Sequence, residues 1–312
     1  MREGDGVKPE RERSVAALWR FPVKSMAGEP LEEALVSKGG ILGDRAFALI
    51  DVETGRVVSA KSVRRFPGVL HCRAGYVGPP REGRDLPPVR IALPGGAMVT
   101  SDSGDANRVL SAHFRREVRL ARSAPADFTI DMYHPDIEGA APADRRDTVA
   151  PQRLGSALFA ELGVPSPVPD GAFFDCFPVS VLTTATLASL AALRPESRFD
   201  ARRFRMNVIV GTAEEGFPEN GWIGRTLAVG GDVRVRVTAP DSRCVMTTLA
   251  QDDLPGDPEV LRTLVRHNRI PAGGGGPSPC AGVYAVVEEG GMIRRGDRVA
   301  LAAAPGPAAE VR

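Results

Sequence analysis

The residues best suited to chemistry lie in segment 238–248, TAPDSRCVMTT, which leaves an alternating stretch through Pro240 and sets Cys244 beside Arg243, with the hydroxyls of Thr247 and Thr248 just beyond. A neighbouring guanidinium favours the thiolate, the form of cysteine that acts as a nucleophile or binds a soft metal. Taken alone, a cysteine is more often a small buried apolar residue. Cys72, Cys176 and Cys280 lie far apart and make no C-x-x-C pair with it, which removes zinc-ribbon, thioredoxin-like and local iron–sulfur signatures. The four histidines, His71, His113, His134 and His267, have no metal-ligand spacing. Lys24 and Ser25 lack the preceding glycines of a P-loop, no G-x-G-x-x-G follows a strand, and the G-x-S-x-G nucleophile elbow is missing.

The elements that must carry these residues are mostly strands. The chain has 312 residues, 43% hydrophobic and 25% charged, with 40 Lys and Arg against 39 Asp and Glu. At roughly 150 residues per domain, two domains are expected. The near-neutral balance gives no support for a nucleic-acid partner. No apolar run approaches the roughly 18 residues of a membrane span, and the N-terminus lacks an apolar signal region. A soluble, cytoplasmic protein is expected. Residues 15–21, 31–37, 46–51, 67–74 and 89–93 read as short strands bounded by Gly or Pro, with no helix of normal length between them. A helix is expected at 103–114, a long polar connection at 131–150 and a short helix at 152–162. In the second half, strand 178–182 runs into a helix at 184–193 with Thr183 or Thr184 as its cap. Residues 207–210 read as a strand, and Val233, Val235 and Val237 alternate with Arg234, Arg236 and Thr238, the strongest period-2 signal in the chain. An amphipathic helix at 257–266, a glycine loop at 273–276 and strands at 283–287 and 298–301 follow. No internal repeat is present.

Several segments together resemble the MOSC family, the C-terminal domains of molybdenum-cofactor sulfurases. Ser242-Arg243-Cys244 followed by Thr247-Thr248 is similar to its core motif. Residues 21–25 (FPVKS) are similar to the Y-P-[VI]-K-S segment opening its N-terminal β-barrel domain, and 40–45 (GILGDR) to G-[LI]-x-x-D-R. Residues 204–207 (FRMN) match F-R-x-N, and 282–285 (GVYA) with Gly296-Asp297 match the closing G-x-Y and G-D strands. The matches run in the family's order over about residues 14–302, and lie nearest the two-domain branch that includes the mitochondrial amidoxime-reducing component and bacterial relatives.

The resemblance implies a β-rich α+β protein. Tails would occupy 1–13 and 303–312, an N-terminal MOSC β-barrel domain 14–102, a helical and loop connection 103–165, and a MOSC β-barrel domain with flanking helices 166–302. It implies a molybdenum–molybdopterin cofactor held between the domains, with Cys244 as metal ligand and catalytic residue. The implied cofactor contacts are Lys24, Ser25 and Arg45 from the first domain. Those from the second are Thr183, Thr184, Arg205, Asn207, Ser242, Arg243, Cys244 and Tyr284. Cations around one phosphate form charge-assisted hydrogen bonds worth roughly 1.5–3 kcal/mol each. Singly, each residue has an ordinary reading. Lys24 could be a solvated charge, Arg45 a surface ion pair with Asp44, Thr184 a helix cap and Tyr284 a core aromatic. Arg202 and Arg203 read as members of a charged run. Met206 stands where relatives commonly have Pro, which would loosen the turn. No pyridoxal phosphate and no iron–sulfur cluster are expected in this chain, whose end at Arg312 leaves out the ferredoxin-like domain of some bacterial relatives.

The activity implied is reduction of N-hydroxylated small molecules (amidoximes, hydroxylamines, N-oxides) with electrons from a separate ferredoxin- or flavin-reductase-type protein in a bacterial cytoplasm. Two alternatives remain: a sulfur carrier or transferase using a Cys244 persulfide, and a specialised biosynthetic molybdenum-cofactor enzyme.

Overall fold

The computed structural model describes residues 12–272 and 276–302. The expected C-terminal tail, positions 1–11 of the N-terminal one and positions 273–275 of the glycine loop lie outside them. The N-terminal tail ends earlier than expected, because Arg13 already begins a strand and is buried.

The fold is a β-rich α+β arrangement built on one curled nine-stranded sheet. Across it run Val299–Leu301, Thr226–Val229, Val233–Ser242, Pro277–Glu289, Val179–Thr183, Val208–Thr212, Arg13–Arg20 and Glu29–Leu31, and Arg269–Pro271 pairs with Pro277–Glu289 at the side. Neighbours are antiparallel except Val179–Thr183 and Val208–Thr212, which are parallel and joined through the helix Thr184–Leu193. The alternation at 233–238 works as read: Val233, Val235 and Val237 point into a core with Val179, Val181, Val208, Val210, Val283 and Ala285. On the sheet's other face Leu182, Ile209 and Ala281 pack with Leu190 of that helix and with Val260 and Leu264 of the helix Glu259–His267. Each such aliphatic side chain contributes roughly 1.5–3 kcal/mol on burial.

The first strand, expected in the N-terminal barrel, pairs with Val208–Thr212 through Leu18↔Val208 and Val15↔Val210. The segment that opens the chain therefore completes the large sheet. Residues 23–118 build their own core around Leu49, Leu70, Ile91 and Leu110. It is enclosed by the pair Ala48–Asp51 with Val118–Ala121 and by the three strands Arg73–Tyr76, Val89–Ala92 and Met98–Thr100. The helix expected at 103–114 forms at Ala106–Phe114.

Three expectations are corrected. Residues 131–150 are no open connection: Thr129–His134 and Thr148–Arg153 form a hairpin, anchored by Ile130 beside Phe128, Leu154 and Phe173. The helix expected at 152–162 shortens to Ser156–Glu161, because Gln152 and Arg153 belong to that hairpin and Gly155, at φ 58°, turns the chain into the helix. The strand expected at 67–74 becomes a 3-10 turn, Val69–His71, with the strand starting at Arg73, because Gly68 at φ 81° breaks the extended run.

Gly282 marks the point where the longest strand changes face. Ala281 and Val283 have the same parity yet lie in different cores, and Gly282 between them has φ 85°. A Cβ there would come within 2.1 Å of Met206 Cε and 2.6 Å of the Val181 carbonyl oxygen. Gly282→Ala is expected to cost about 2–4 kcal/mol in urea unfolding. Adding Met206→Ala should not restore stability, because the Val181 obstacle is backbone.

Candidate functional site

A cleft of about 660 Å³, counting its open mouth, lies where the two cores meet. Its walls come from residues 24–25, 45, 59–61, 174–180, 204–207, 241–246 and 284. These segments converge because the 21–25 loop is paired edge-on with 44–47: Lys24 N–H donates to Phe47 O (2.8 Å), Arg45 N–H to Phe21 O (2.8 Å) and Phe47 N–H to Pro22 O (3.0 Å). Asp44, fully buried, accepts from Phe21 N–H (2.6 Å), from Asn207 Nδ2 (2.9 Å) and from the Arg45 guanidinium. One carboxylate thus joins three separate stretches of chain.

The cationic side is dense. Arg45 donates to Arg205 O (3.0 Å), and Arg205 donates to Met26 O (2.6 Å). Both guanidiniums lie over the Phe21 ring, at 4.9 Å and 4.3 Å from its centroid. Burial, reinforced by Arg45, pulls Arg205 down to about 9. Arg243 pairs with Asp241 at 2.6 Å and donates to Phe204 O (2.7 Å), while its buried Nε has no partner. Lys24 donates to Phe173 O (3.0 Å) and to one oxygen of Asp175, and Lys61 donates to the other oxygen at 2.8 Å. Burial pulls Lys24 down to about 8, with Lys61 adding to the effect against Asp175. Burial acts on Lys61 in the same sense, but Asp175 and Cys244 outweigh it and hold this ammonium above the ordinary lysine value. In all, five cations (Lys24, Arg45, Lys61, Arg205, Arg243) face two carboxylates (Asp175, Asp241).

Cys244 stands half-buried in this wall, at the start of the 3-10 turn Val245–Thr248, with Thr247 N–H (3.2 Å) and Oγ1 (3.0 Å) donating to its carbonyl. It is not the packed apolar cysteine of the ordinary reading; Cys72 and Cys280 are, each fully buried. Ser242 is exposed at the rim. Tyr284 stacks on Phe177 (5.3 Å, 28°) and lines the cleft together with Asp241. Burial, with Asp241 and Cys176 nearby, raises Tyr284 well above an ordinary phenol.

Of the residues expected here, Lys24, Ser25, Arg45, Arg205, Asn207, Ser242, Arg243, Cys244 and Tyr284 line the cleft, and Thr183 and Thr184 do not. Thr183 is the cap of the following helix, accepting from Thr186 N–H (3.1 Å) and donating to the buried Glu219 (2.7 Å). Thr184 Oγ1 accepts from Thr212 N–H (3.2 Å). A hydroxyl following a strand serves a helix end as readily as a ligand. Asn207 is at the wall, but its amide is fully used: Oδ1 accepts from Ser180 N–H and Oγ, and Nδ2 donates to Trp19 O and Asp44. It braces the site rather than offering free groups to it. Arg203 is also corrected. It is completely buried and donates to the carbonyls of Arg198, Thr247, Leu249 and Pro255, which fixes the turn after Cys244. Arg202, by contrast, pairs with Asp200, Asp252 and Asp253 near the surface.

Sequence reasoning missed Lys61, Asp175 and the aromatic walls Phe174 and Phe177. One signal was available: this arginine-rich chain has only four lysines, Lys8, Lys24, Lys38 and Lys61, and two of them are in the cleft.

Chemically, the cleft suits an anion. Among the described residues no cluster of three or more His, Cys, Asp or Glu could hold a metal ion. A metal at Cys244 would therefore need its other donors from a ligand. A single soft thiol, surplus positive charge and an unpartnered Arg243 Nε fit an anionic cofactor that brings its own metal ligands.

Family models match two stretches of the chain, and curated relatives match most of its length. The model of the MOSC domain matches residues 169–300, and that of the MOSC N-terminal beta barrel domain matches residues 12–110. The chain is 25% identical to human mitochondrial amidoxime-reducing component 1 over 307 residues, covering 92% of this chain and 82% of that protein. It is 26% identical to mitochondrial amidoxime reducing component 2 of Macaca fascicularis, with 92% and 82% covered. Among solved structures, the YUAD protein from Bacillus subtilis matches with a TM-score of 0.43 at 12% identity, covering 92% of this chain and 94% of that one.

The Lys24–Asp175–Lys61 triad makes acid stability testable. Burial alone would raise the Asp175 carboxyl, but Lys24 and Lys61 outweigh it and hold it well below the usual range. Its contribution is therefore present above about pH 3.9, the unfolded value, and drains away as pH falls below that. Asp175→Asn is expected to cost about 3–5 kcal/mol at pH 7. Denaturant titrations at a series of pH values should show the gap to the unmodified chain narrowing below about pH 4.

Proposed function

Because the chain belongs to the MOSC family and carries both its N-terminal β-barrel domain and its MOSC domain, we propose that it is a molybdenum-cofactor-dependent reductase of N-hydroxylated compounds such as amidoximes, hydroxylamines and N-oxides. The observation that carries this reading is the half-buried Cys244 standing in a cleft with five cations and two carboxylates. The likeness to amidoxime-reducing components over nearly the whole chain supports the choice of reaction.

When bound, the cofactor supplies a metal centre able to exchange two electrons and accept an oxygen atom. The chain's own groups do the rest. Cys244 would hold the metal through its sulfur. Arg45, Arg205 and Arg243 present guanidinium forks suited to a phosphate. Lys24 adds an ammonium, and Ser25, Ser242 and Tyr284 offer hydroxyls for the polar edge of a pterin. Asp44, Asn207 and Arg203 touch none of this directly; they fix the backbone from which the ligand-facing groups project. Phe177, Tyr284 and Met246 add partly buried aromatic and thioether surface to the wall that carries Cys244. Electrons come from a separate donor protein of the ferredoxin or flavin-reductase type.

Elemental and pterin analysis of the purified chain tests this reading. About one molybdenum per chain is expected, falling to background in Cys244→Ala and substantially reduced in Arg205→Ala. Loaded protein should reduce benzamidoxime with dithionite as electron source, and Cys244→Ala should not. A chain that stays free of molybdenum after expression with cofactor supply would refute it.

A further inference from the structure

The five cations of the cleft are not equivalent. Arg45 and Arg205 direct guanidinium N–H groups to Asp44 and to the carbonyls of Arg205 and Met26, and both cover Phe21. Arg243 is shared between Asp241 and Phe204 O. Lys24 gives hydrogen bonds to Phe173 O and Asp175. Lys61 donates from Nζ to Asp175 alone among the described residues. An ammonium has three N–H bonds, so two remain for a ligand, and the side chain lies in the cleft wall at only 10% exposure. Asp175 carries one charge against two ammoniums, so the triad keeps a net positive charge on largely buried lysine side chains.

Position and residue type both indicate what Lys61 would bind. Lys61 and Cys244 line the same cleft, so an oxygen held at the ammonium lies in the pocket that holds the sulfur. A guanidinium fork matches the paired oxygens of a phosphate or carboxylate, whereas an ammonium is a compact point charge with rotatable donors, suited to a single oxygen. In a chain with four lysines and many arginines, two buried lysines in one cleft stand out, and Lys61 is the one whose ammonium has the fewer partners.

We propose that Lys61, held by Asp175, is the substrate-binding cation of the cleft, taking the oxygen of an N-hydroxylated or N-oxide group beside Cys244. The identity of the ligand rests on the reductase reading; the cationic field at Cys244 does not.

Two measurements test it. The first uses the metal-free full chain and compares alkylation of Cys244 by iodoacetate, an anion, with that by neutral iodoacetamide, the modified cysteine being assigned by peptide mass. Lys61→Met should lower the iodoacetate-to-iodoacetamide rate ratio roughly tenfold, and Lys61→Arg should restore most of it. The methionine variant leaves Asp175 paired with Lys24, and a thermal melt checks that it folds. A ratio unmoved by Lys61→Met overturns the proposal. The second uses molybdenum-loaded protein. Lys61→Met should raise KM for benzamidoxime roughly tenfold, with metal content unchanged; lost metal with unchanged KM would mean that Lys61 holds the cofactor, and overturns the proposal. A wild-type chain without molybdenum overturns the reductase reading alone, while the alkylation ratio still decides whether Lys61 sets the cationic field at Cys244.

Discussion

The Asp44 carboxylate, with no exposed surface, accepts hydrogen bonds from Phe21 N–H, Asn207 Nδ2 and the Arg45 guanidinium. Each donor belongs to a different part of the chain. Phe21 opens the loop bearing Lys24 and Ser25, Arg45 is itself a cleft residue, and Asn207 anchors the turn bearing Arg205. A buried anion that loses one donor forfeits a hydrogen bond worth roughly 1.5–3 kcal/mol, and more when the donor is its charged partner Arg45. The charge therefore enforces a shared geometry on all three segments, and the cleft exists because that geometry is met.

The same geometry explains where the backbone is strained. Of the six described non-glycine residues with positive φ, three line the cleft: Ser25 at 66°, Arg45 at 49° and Arg205 at 55°. The left-handed conformation costs an ordinary residue about 1–2 kcal/mol, and such strain persists where surrounding contacts over-determine it. Here the Asp44 bonds and the Arg205–Met26 and Arg45–Arg205 bonds do so. The side chains are aimed before any ligand arrives, so less ordering remains to oppose binding.

How much of this could be read from the chain depends on whether a residue's role is local. The alternating valines at 233–237 and the amphipathic stretch that became Glu259–His267 were legible because periodicity is a local property. Cys244, Arg243 and Tyr284 were legible through compact motifs. Lys61 and Asp175 were not, because each gains meaning only from the other, across 114 positions. Arg203 and Arg205 sit two apart in one basic run, yet the first staples four carbonyls and the second faces the cleft. The F-R-x-N resemblance singled out Arg205, but nothing local in the sequence distinguishes Arg203 from the half-buried Arg202 beside it; the 3-10 turn Ala201–Arg203 does. The hairpin at 129–153 was hidden because its half-exposed strands contain Asp131, His134 and Pro151, which read as loop residues.

The strand Arg13–Arg20 ties synthesis order to assembly. Arg13 and Glu214 form an ion pair 201 positions apart in sequence. On a ribosome the first strand therefore emerges long before the edge it must cover. Contacts of such separation carry a large loop-closure cost and form late. Until then the Val208–Thr212 edge offers unpaired amides and carbonyls to any neighbouring nascent chain. Expression yield would accordingly respond to translation speed and chaperone supply more than the finished molecule's stability suggests.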